Sequence, residues 1–289
     1  MFKAPKSEIH PLTAPLINMT KRTLLVLLIL VTSLPIAWVY WASSKVQLAQ
    51  YTTDLPECEK IWSARGVYNA REDQNSIESI GKAFALGAVG AEVDVFYDTT
   101  LERYIVSHDY PYNLKNGEVL TLESLLAGIN SVGYLWLDFK KLRHLEGGRL
   151  KSAINRLSKI SDEYDLSRLI YVEGSDPINL GAFSAAGFNT IFDIHPLPSS
   201  NWLSGFVLAV YKSVFHWNGF TVMSVQYANE ALVLFDQTAA SRLGDVPLFV
   251  YHVPDTVENI NRLRQLDNVK AFLVGRGLGI DRFNYNQCF

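Results

Sequence analysis

Glu92 and Asp94 stand two residues apart in Ala91-Glu92-Val93-Asp94-Val95, and the pair His108-Asp109 follows shortly after. On a strand, alternate side chains share a face, so the two carboxylates point the same way and can grip one divalent cation through oxygen. The same pair also describes an ordinary solvated strand face. Here the neighbours Ala91, Val93, Val95 and Phe96 are apolar, which sets the acids in buried surroundings where unpaired charge is costly and a cation relieves it. A histidine beside an aspartate is suited to moving one proton near neutral pH. Two acids placed to hold a cation, with a histidine-aspartate pair following, make a candidate but incomplete catalytic set.

Strand-like and helix-like segments alternate along the chain around these residues. Strands are predicted at residues 60–63, 90–97, 103–108, 133–139, 169–173, 190–193, 222–226, 247–253 and 271–274, and helices at 76–86, 122–129, 150–164, 179–186, 230–243 and 257–266. Alternation of this kind implies a parallel sheet, and the count fits an α/β fold of the TIM-type (β/α)8 barrel. Such a barrel carries its active site at the C-terminal ends of its strands. Glu92 and Asp94 lie mid-strand to late, His108 closes its strand, Asp138 and Lys140 close theirs, and Glu173 ends another. They are expected to converge on one mouth.

Specific motifs follow the same order. Ala64-Arg65-Gly66 ends the first strand, Gln74-Asn75-Ser76 opens the next helix, and Gly87-Ala88 precedes Glu92-Val93-Asp94. Val106-Ser107-His108-Asp109, Leu135-Trp136-Leu137-Asp138-Phe139-Lys140, Val172-Glu173 and Val250-Tyr251-His252-Val253 come after. Together they resemble the glycerophosphodiester phosphodiesterase family of the phospholipase-C-like phosphodiesterase superfamily, over most of residues 61–279. Three positions depart from the family's pattern: Ala64 replaces the histidine of His-Arg-Gly, Gln74 a glutamate, and Asp138 the glutamate of Glu-x-Lys.

The resemblance implies that Glu92, Asp94 and Asp138 ligate a divalent cation, Mg2+ or Ca2+, and that Arg65 and Lys140 hold phosphoryl oxygens, with Glu173 on the substrate side. His108 then protonates a leaving oxygen or deprotonates a nucleophile. The family uses two histidines, and the Ala64 methyl can carry no proton. Another residue takes over, with His252 and His195 as strand-end candidates and His252 the better placed; or the barrel binds a phosphodiester or head group without turning it over; or the alanine is itself an introduced substitution. An ordinary barrel enzyme on unrelated substrates is a further reading.

The chain has 289 residues, enough for one barrel plus an anchor. A formal net charge of -3 gives no basic footprint, so nucleic acid is not an expected partner. Residues 24–41 form an uncharged apolar run behind Lys3, Lys6, Lys21 and Arg22, ending in Trp38-Val39-Tyr40-Trp41. Its length suits a membrane crossing, and the basic flank puts the N-terminus in the cytoplasm and the barrel on the extracytoplasmic side. The expected organisation is a cytoplasmic tail (1–22), a transmembrane signal anchor (23–42), a polar linker (43–58) and the phosphodiesterase-like barrel (59–289). A cleaved signal peptide, with Ala42-Ser43-Ser44 as its small-residue site, is the alternative. Cys58 and Cys288 are the only cysteines and could be bridged in an oxidising compartment or remain free thiols. Residues 202–220 are apolar but too interrupted for a second span; they read either as an outer-ring helix or as a membrane-leaning lid over the mouth.

Overall fold

The structure, a computed structural model, describes residues 21–48, 51, 53, 55–57, 59–195, 201–227, 243–244, 246–254 and 256–275. Helix α1 (Lys21–Leu48) precedes β1 (Ile61–Ala64), α2 (Ile77–Ala85), β2 (Gly90–Asp98), β3 (Arg103–Val106) and a small hairpin, β4 (Leu114–Lys115) with β5 (Glu118–Val119). Then come α3 (Leu122–Gly128), β6 (Tyr134–Phe139), α4 (Gly147–Glu163), β7 (Ile170–Gly174), α5 (Pro177–Ala185) and β8 (Asn189–Asp193). The remainder is α6 (Asn201–Asn218), β9 (Val222–Gln226), β10 (Leu248–Tyr251), α7 (Val257–Arg264) and β11 (Val269–Val274). The helix expected at 230–243 and both cysteines lie outside the described residues.

Eight strands run parallel in the order β1-β11-β10-β9-β8-β7-β6-β2, and the ring closes where Ser63 and Ala64 of β1 pair with Ala91 and Glu92 of β2. The TIM-type barrel expected from the alternation is therefore present. The stretch read as a strand at 103–108 is not one of its staves. Because β1 stops at Ala64, the upper half of β2 has a free edge, and β3 fills it antiparallel, from Val95↔Val106 to Asp98↔Arg103.

Side-chain alternation divides the packing into two layers. Outward residues such as Ile61, Ala91, Val93, Leu135, Leu137 and Val172 meet the helices, while Trp62, Trp136, Tyr171, Ile191, Val222, Phe249 and Leu273 fill the inside. Trp62 anchors the floor, stacked on Tyr134 at 5.5 Å and edge-on to Phe249 at 5.0 Å. A Cβ on Gly90 would fall 2.3 Å from the Trp62 ring, which has no room to retreat among those aromatics. Gly90→Ala is expected to destabilise the barrel by about 1–3 kcal/mol, measurable as a lower urea midpoint at unchanged slope.

The expected linker at 43–58 begins as helix. Val39, Ala42 and Val46, spaced three and four apart, form a buried stripe on α1, small enough at Ala42 to let another helix approach. That helix is α6: Ser213 Oγ lies 3.2 Å from the Val39 carbonyl and 2.7 Å from that of Ala209 in its own helix, and Trp38 stacks on Trp217 at 6.0 Å between ring centres. Of the two readings of residues 202–220, the outer-ring helix is the one found, since α6 connects β8 to β9 and buries Leu208, Ala209 and Phe215.

Candidate active site

The inward face of the staves changes character toward their C-terminal ends. Two residues beyond the aromatic floor, the same parity delivers Ala64, Glu92, Asp138, Glu173, Asp193, Ser224 and Tyr251. Together with Arg65, Lys140, His108 and His252, all of these but Ser224 line one cavity of about 910 Å³ at the barrel mouth.

The turn after β1 is built from special backbone. Arg65 has φ 60° and Gly66 φ 86°, and a Cβ on Gly66 would strike the Ser79 backbone at 2.4 Å. Helix α2 starts against this turn with a reciprocal cap, Ser79 N–H to Ser76 Oγ and Ser76 N–H to Ser79 Oγ, each 3.1 Å. Just before the cap, Asn75 fixes Asp94: its Nδ2 donates to Asp94 Oδ2 at 2.6 Å, and its Oδ1 accepts from the Asp94 backbone N–H at 3.1 Å.

Glu92, Asp94 and Asp138 bring carboxylate oxygens within 4.8 Å of one another. Arg65 Nε lies 2.8 Å from Asp94 Oδ2 and 3.9 Å from Glu92 Oε1; Lys140 Nζ lies 2.7 Å from Asp94 Oδ1 and ion-pairs with Asp138. Three acids thus face two cations. Burial, then the neighbouring Asp94, push Glu92 up to about 8. Burial would raise Asp94 as well, but Lys140 and Arg65 outweigh it and hold that carboxyl below its ordinary value. Burial likewise opposes the charge on Lys140, and Asp138 and Asp94 more than offset it, keeping the ammonium pKa above normal. Asp94 is fully buried, and its Oδ1 accepts no hydrogen bond of good geometry despite the nearby ammonium. Three carboxyl groups set against two cations, with a spare buried oxygen on Asp94, fit a hard divalent cation such as Mg2+ or Ca2+, whose charge would favour the ionised form of Glu92.

Glu92 supplies a prediction with a definite sign. Its folded-state pKa lies above the ordinary 4.5, so the folded protein holds this proton more tightly than the unfolded chain, and stability falls as pH rises from about 4.5 through 8. Glu92→Gln is expected to raise the melting temperature of the metal-free protein above pH 8, by about 2–4 °C for each kcal/mol relieved. The same variant is expected to lose the thermal shift that Mg2+ or Ca2+ gives the parent.

His108 reaches the mouth by a route other than the strand end first expected. It follows β3, which descends antiparallel to β2, and Ser107 N–H donates to the Asp94 carbonyl at 3.0 Å. His108 Nδ1 then lies 2.8 Å from Asp109 Oδ1, which sets the ring's orientation. His252 follows β10 with φ 57°, edge-on to Tyr251 at 4.9 Å. His195, the other candidate, is exposed beyond β8 and is not among the residues lining the cavity.

On the far wall, Glu173 accepts from Trp136 Nε1 at 2.8 Å and from Ser224 Oγ at 2.6 Å. Ser224 Oγ also lies 3.2 Å from Asp193 Oδ1, which Tyr251 OH reaches at 3.2 Å. One hydroxyl carries one proton, so Ser224 can donate to only one of the two acids at a time. Burial raises both carboxyls, Glu173 well above its ordinary value with Asp138 and Asp193 adding to it, and Asp193 to about 6. Asn75, Asp193, Ser224 and Tyr251 were not singled out from sequence. Strand parity would have found the last three, two residues beyond Ile191, Val222 and Phe249.

No protein-family model matches the chain, and no curated protein sequence matches it. Solved structures do. The fold is similar to a glycerophosphodiester phosphodiesterase from Parabacteroides distasonis, at 19% identity and TM-score 0.53, covering 78% of this chain and 93% of that one. It is similar to the glycerophosphodiester phosphodiesterase of Thermotoga maritima, at 18% identity and TM-score 0.53, covering 74% and 92%. A phosphodiesterase of Oleispira antarctica, in complex with the product sn-glycerol-3-phosphate, aligns at 12% identity and TM-score 0.53 over 76% and 93%. At these identities the likeness is one of fold.

Proposed function

We propose that the chain is a metal-dependent phosphodiesterase, anchored in a membrane by α1, that hydrolyses glycerophosphodiesters or related phospholipid head groups. The observation that carries this reading is that Glu92, Asp138, Arg65, Lys140 and His108 line one cavity at the barrel mouth, with the buried Asp94 carboxylate grouped with those of Glu92 and Asp138. The names of the similar structures, and the glycerol phosphate product bound in one of them, agree with it.

Glu92, Asp94 and Asp138 would hold Mg2+ or Ca2+, which when bound offsets charge on a phosphodiester oxygen as phosphorus is attacked. Arg65 and Lys140 orient the phosphoryl oxygens, the first as a planar fork and the second as a point charge. His108, held by Asp109, carries a proton to or from the reacting oxygen. His252 is the second carrier, in place of the histidine that Ala64 lacks. Glu173, facing the same cavity from β7, accepts a hydroxyl of the substrate alcohol.

Residues 59–289 form the working domain in this reading, and residues 23–42 its membrane segment. Helix α1 is long and apolar enough to cross a membrane. The length of the apolar run favours an uncleaved anchor over a signal peptide, and the upstream Lys3, Lys6, Lys21 and Arg22 favour placing the barrel on the extracytoplasmic side.

Ala64 favours a second reading, a barrel that binds metal and phosphodiester without turnover. Hydrolysis of glycerophosphocholine with Mg2+ or Ca2+, abolished by chelation and by His108→Ala, supports the enzyme. Absence of turnover in the parent with turnover in Ala64→His would establish the silent barrel instead.

A further inference from the structure

We propose that the barrel rides on the membrane with its strand-start floor toward the bilayer and its mouth away from it, so that of the substrates proposed above the cavity takes water-soluble glycerophosphodiesters, and phospholipids embedded in the same bilayer are out of reach. The proposal rests on reading α1 as the membrane span and the cavity as the active site.

Four observations fix the end at which the anchor enters. Strands β8 and β9 are parallel, so α6 between them must return from the mouth to the floor, and its C-terminal residues Phe215, His216 and Trp217 lie at the floor end. Helix α1 grips this end: Trp38 stacks on Trp217, and the Val39 carbonyl lies 3.2 Å from Ser213 Oγ. The chain leaving α1 stays there, with Tyr51 edge-on to Phe215 at 5.3 Å and hydrogen-bonded through its OH to His216 Nδ1 at 3.1 Å. It then passes beneath the barrel: Leu55 is buried with the interior residues Trp62 and Phe249, and Lys60 Nζ donates to the Arg264 and Leu266 carbonyls just before β11.

The direction of α1 follows from burial. Every residue from Lys21 to Trp38 is exposed, whereas Val39, Ala42 and Val46 are buried. Were the apolar run laid along α6 toward the mouth, its residues would be covered; instead it leaves the barrel at the Trp38–Trp217 contact. The aromatic group Trp38, Tyr40, Trp41 and Trp217, each at least half exposed, sits where span and barrel meet, at the level where such rings settle in the head-group region. The 18 residues of α6 span about 27 Å, which sets the height of the mouth above that level. Glu92, Lys140 and His108 thus stand roughly one barrel height from the lipid surface.

The test uses the full chain in phosphatidylcholine vesicles carrying a trace of lipid with an acceptor dye on its head group. A fluorescent amino acid is incorporated either at Ser167, exposed between α4 and β7 at the floor, or at Arg143, exposed in the turn after β6 at the mouth. Energy transfer is expected to be several-fold stronger from position 167 than from position 143. Equal transfer, or stronger transfer from 143, overturns the proposal, and no transfer from either overturns it together with the anchor. Turnover of soluble glycerophosphocholine is read separately. Loss of the orientation with turnover intact sinks only the docking, and the expected transfer without turnover sinks only the enzyme.

Discussion

Asp94→Ala is expected to lower stability by about 3 kcal/mol and to abolish metal-dependent turnover and metal binding together. Asp94 has no exposed surface, and its two oxygens face Arg65, Lys140 and Asn75 at 2.6–2.8 Å. Removing one partner from a buried ionic group typically costs about 3–5 kcal/mol, because the remaining charges stay desolvated. The lower end applies here: Arg65 keeps Glu92, Lys140 keeps Asp138, and both cations retain some access to water. Urea melts with and without Ca2+ check both parts. In the parent, saturating metal adds about 2.7 kcal/mol at one hundred times its Kd; in the variant the two melts should coincide. A variant as stable as the parent would mean that the pairs around Asp94 contribute nothing, and retained metal stabilisation would remove Asp94 from the ligand set.

The contrast with Glu92→Gln separates two properties of the cluster. Asp94 is the acid that both cations and Asn75 serve, whereas Glu92 is buried, near a second carboxylate, and left with a single distant arginine contact. Neutralising Glu92 should therefore relieve the metal-free fold even as it removes a ligand. Neutralising Asp94 should damage both. A cluster assembled only for stability would have no reason to retain Glu92 as an acid, so opposite stability changes with a shared loss of metal binding would mark it as a binding site.

How much of this was legible in the sequence depended on whether a signal was local. The alternation of apolar strands and amphipathic helices marked the barrel, and apolar neighbours around Glu92 and Asp94 marked the buried acids. Positions set by long-range pairing were not visible. Residues 103–108 look like any other strand, and only the early end of β1 at Ala64 explains why β3 runs antiparallel beside β2. Asn75 carries its role through a φ of 54° and a contact to Asp94, 19 residues on, that no periodicity records. The buried stripe Val39, Ala42 and Val46 was hidden inside a run that is apolar all round, where no face stands out. Asp193 and Tyr251 share the inward parity of Asp138 and Glu173 and could have been found by extending the alternation used for Glu92 and Asp94 to the other strands.

His252→Ala is expected to lower kcat by about 10²–10⁴-fold, and adding Ala64→His to it to recover most of that loss. Ala64 ends β1 facing the cavity and is in register with Glu92, so a side chain there projects beside the acid cluster into open space. His252 follows β10, separated from β1 only by β11, and lines the same cavity. Side chains at the two places enter one cavity from staves two apart in the ring, so in the proposed reaction either could serve the same reacting oxygen. Residues that act as one unit are not additive, so Ala64→His alone should change kcat far less than it does in the His252→Ala background. The pH profile gives a second readout: one limb of the kcat profile should vanish in His252→Ala and return in the double variant. Unchanged turnover in His252→Ala would remove that histidine from the reaction. Full rescue by Ala64→His with a restored pH limb would mean that His252, two staves away, does the work of a histidine at position 64, with the proposed metal and phosphoryl contacts left as they were.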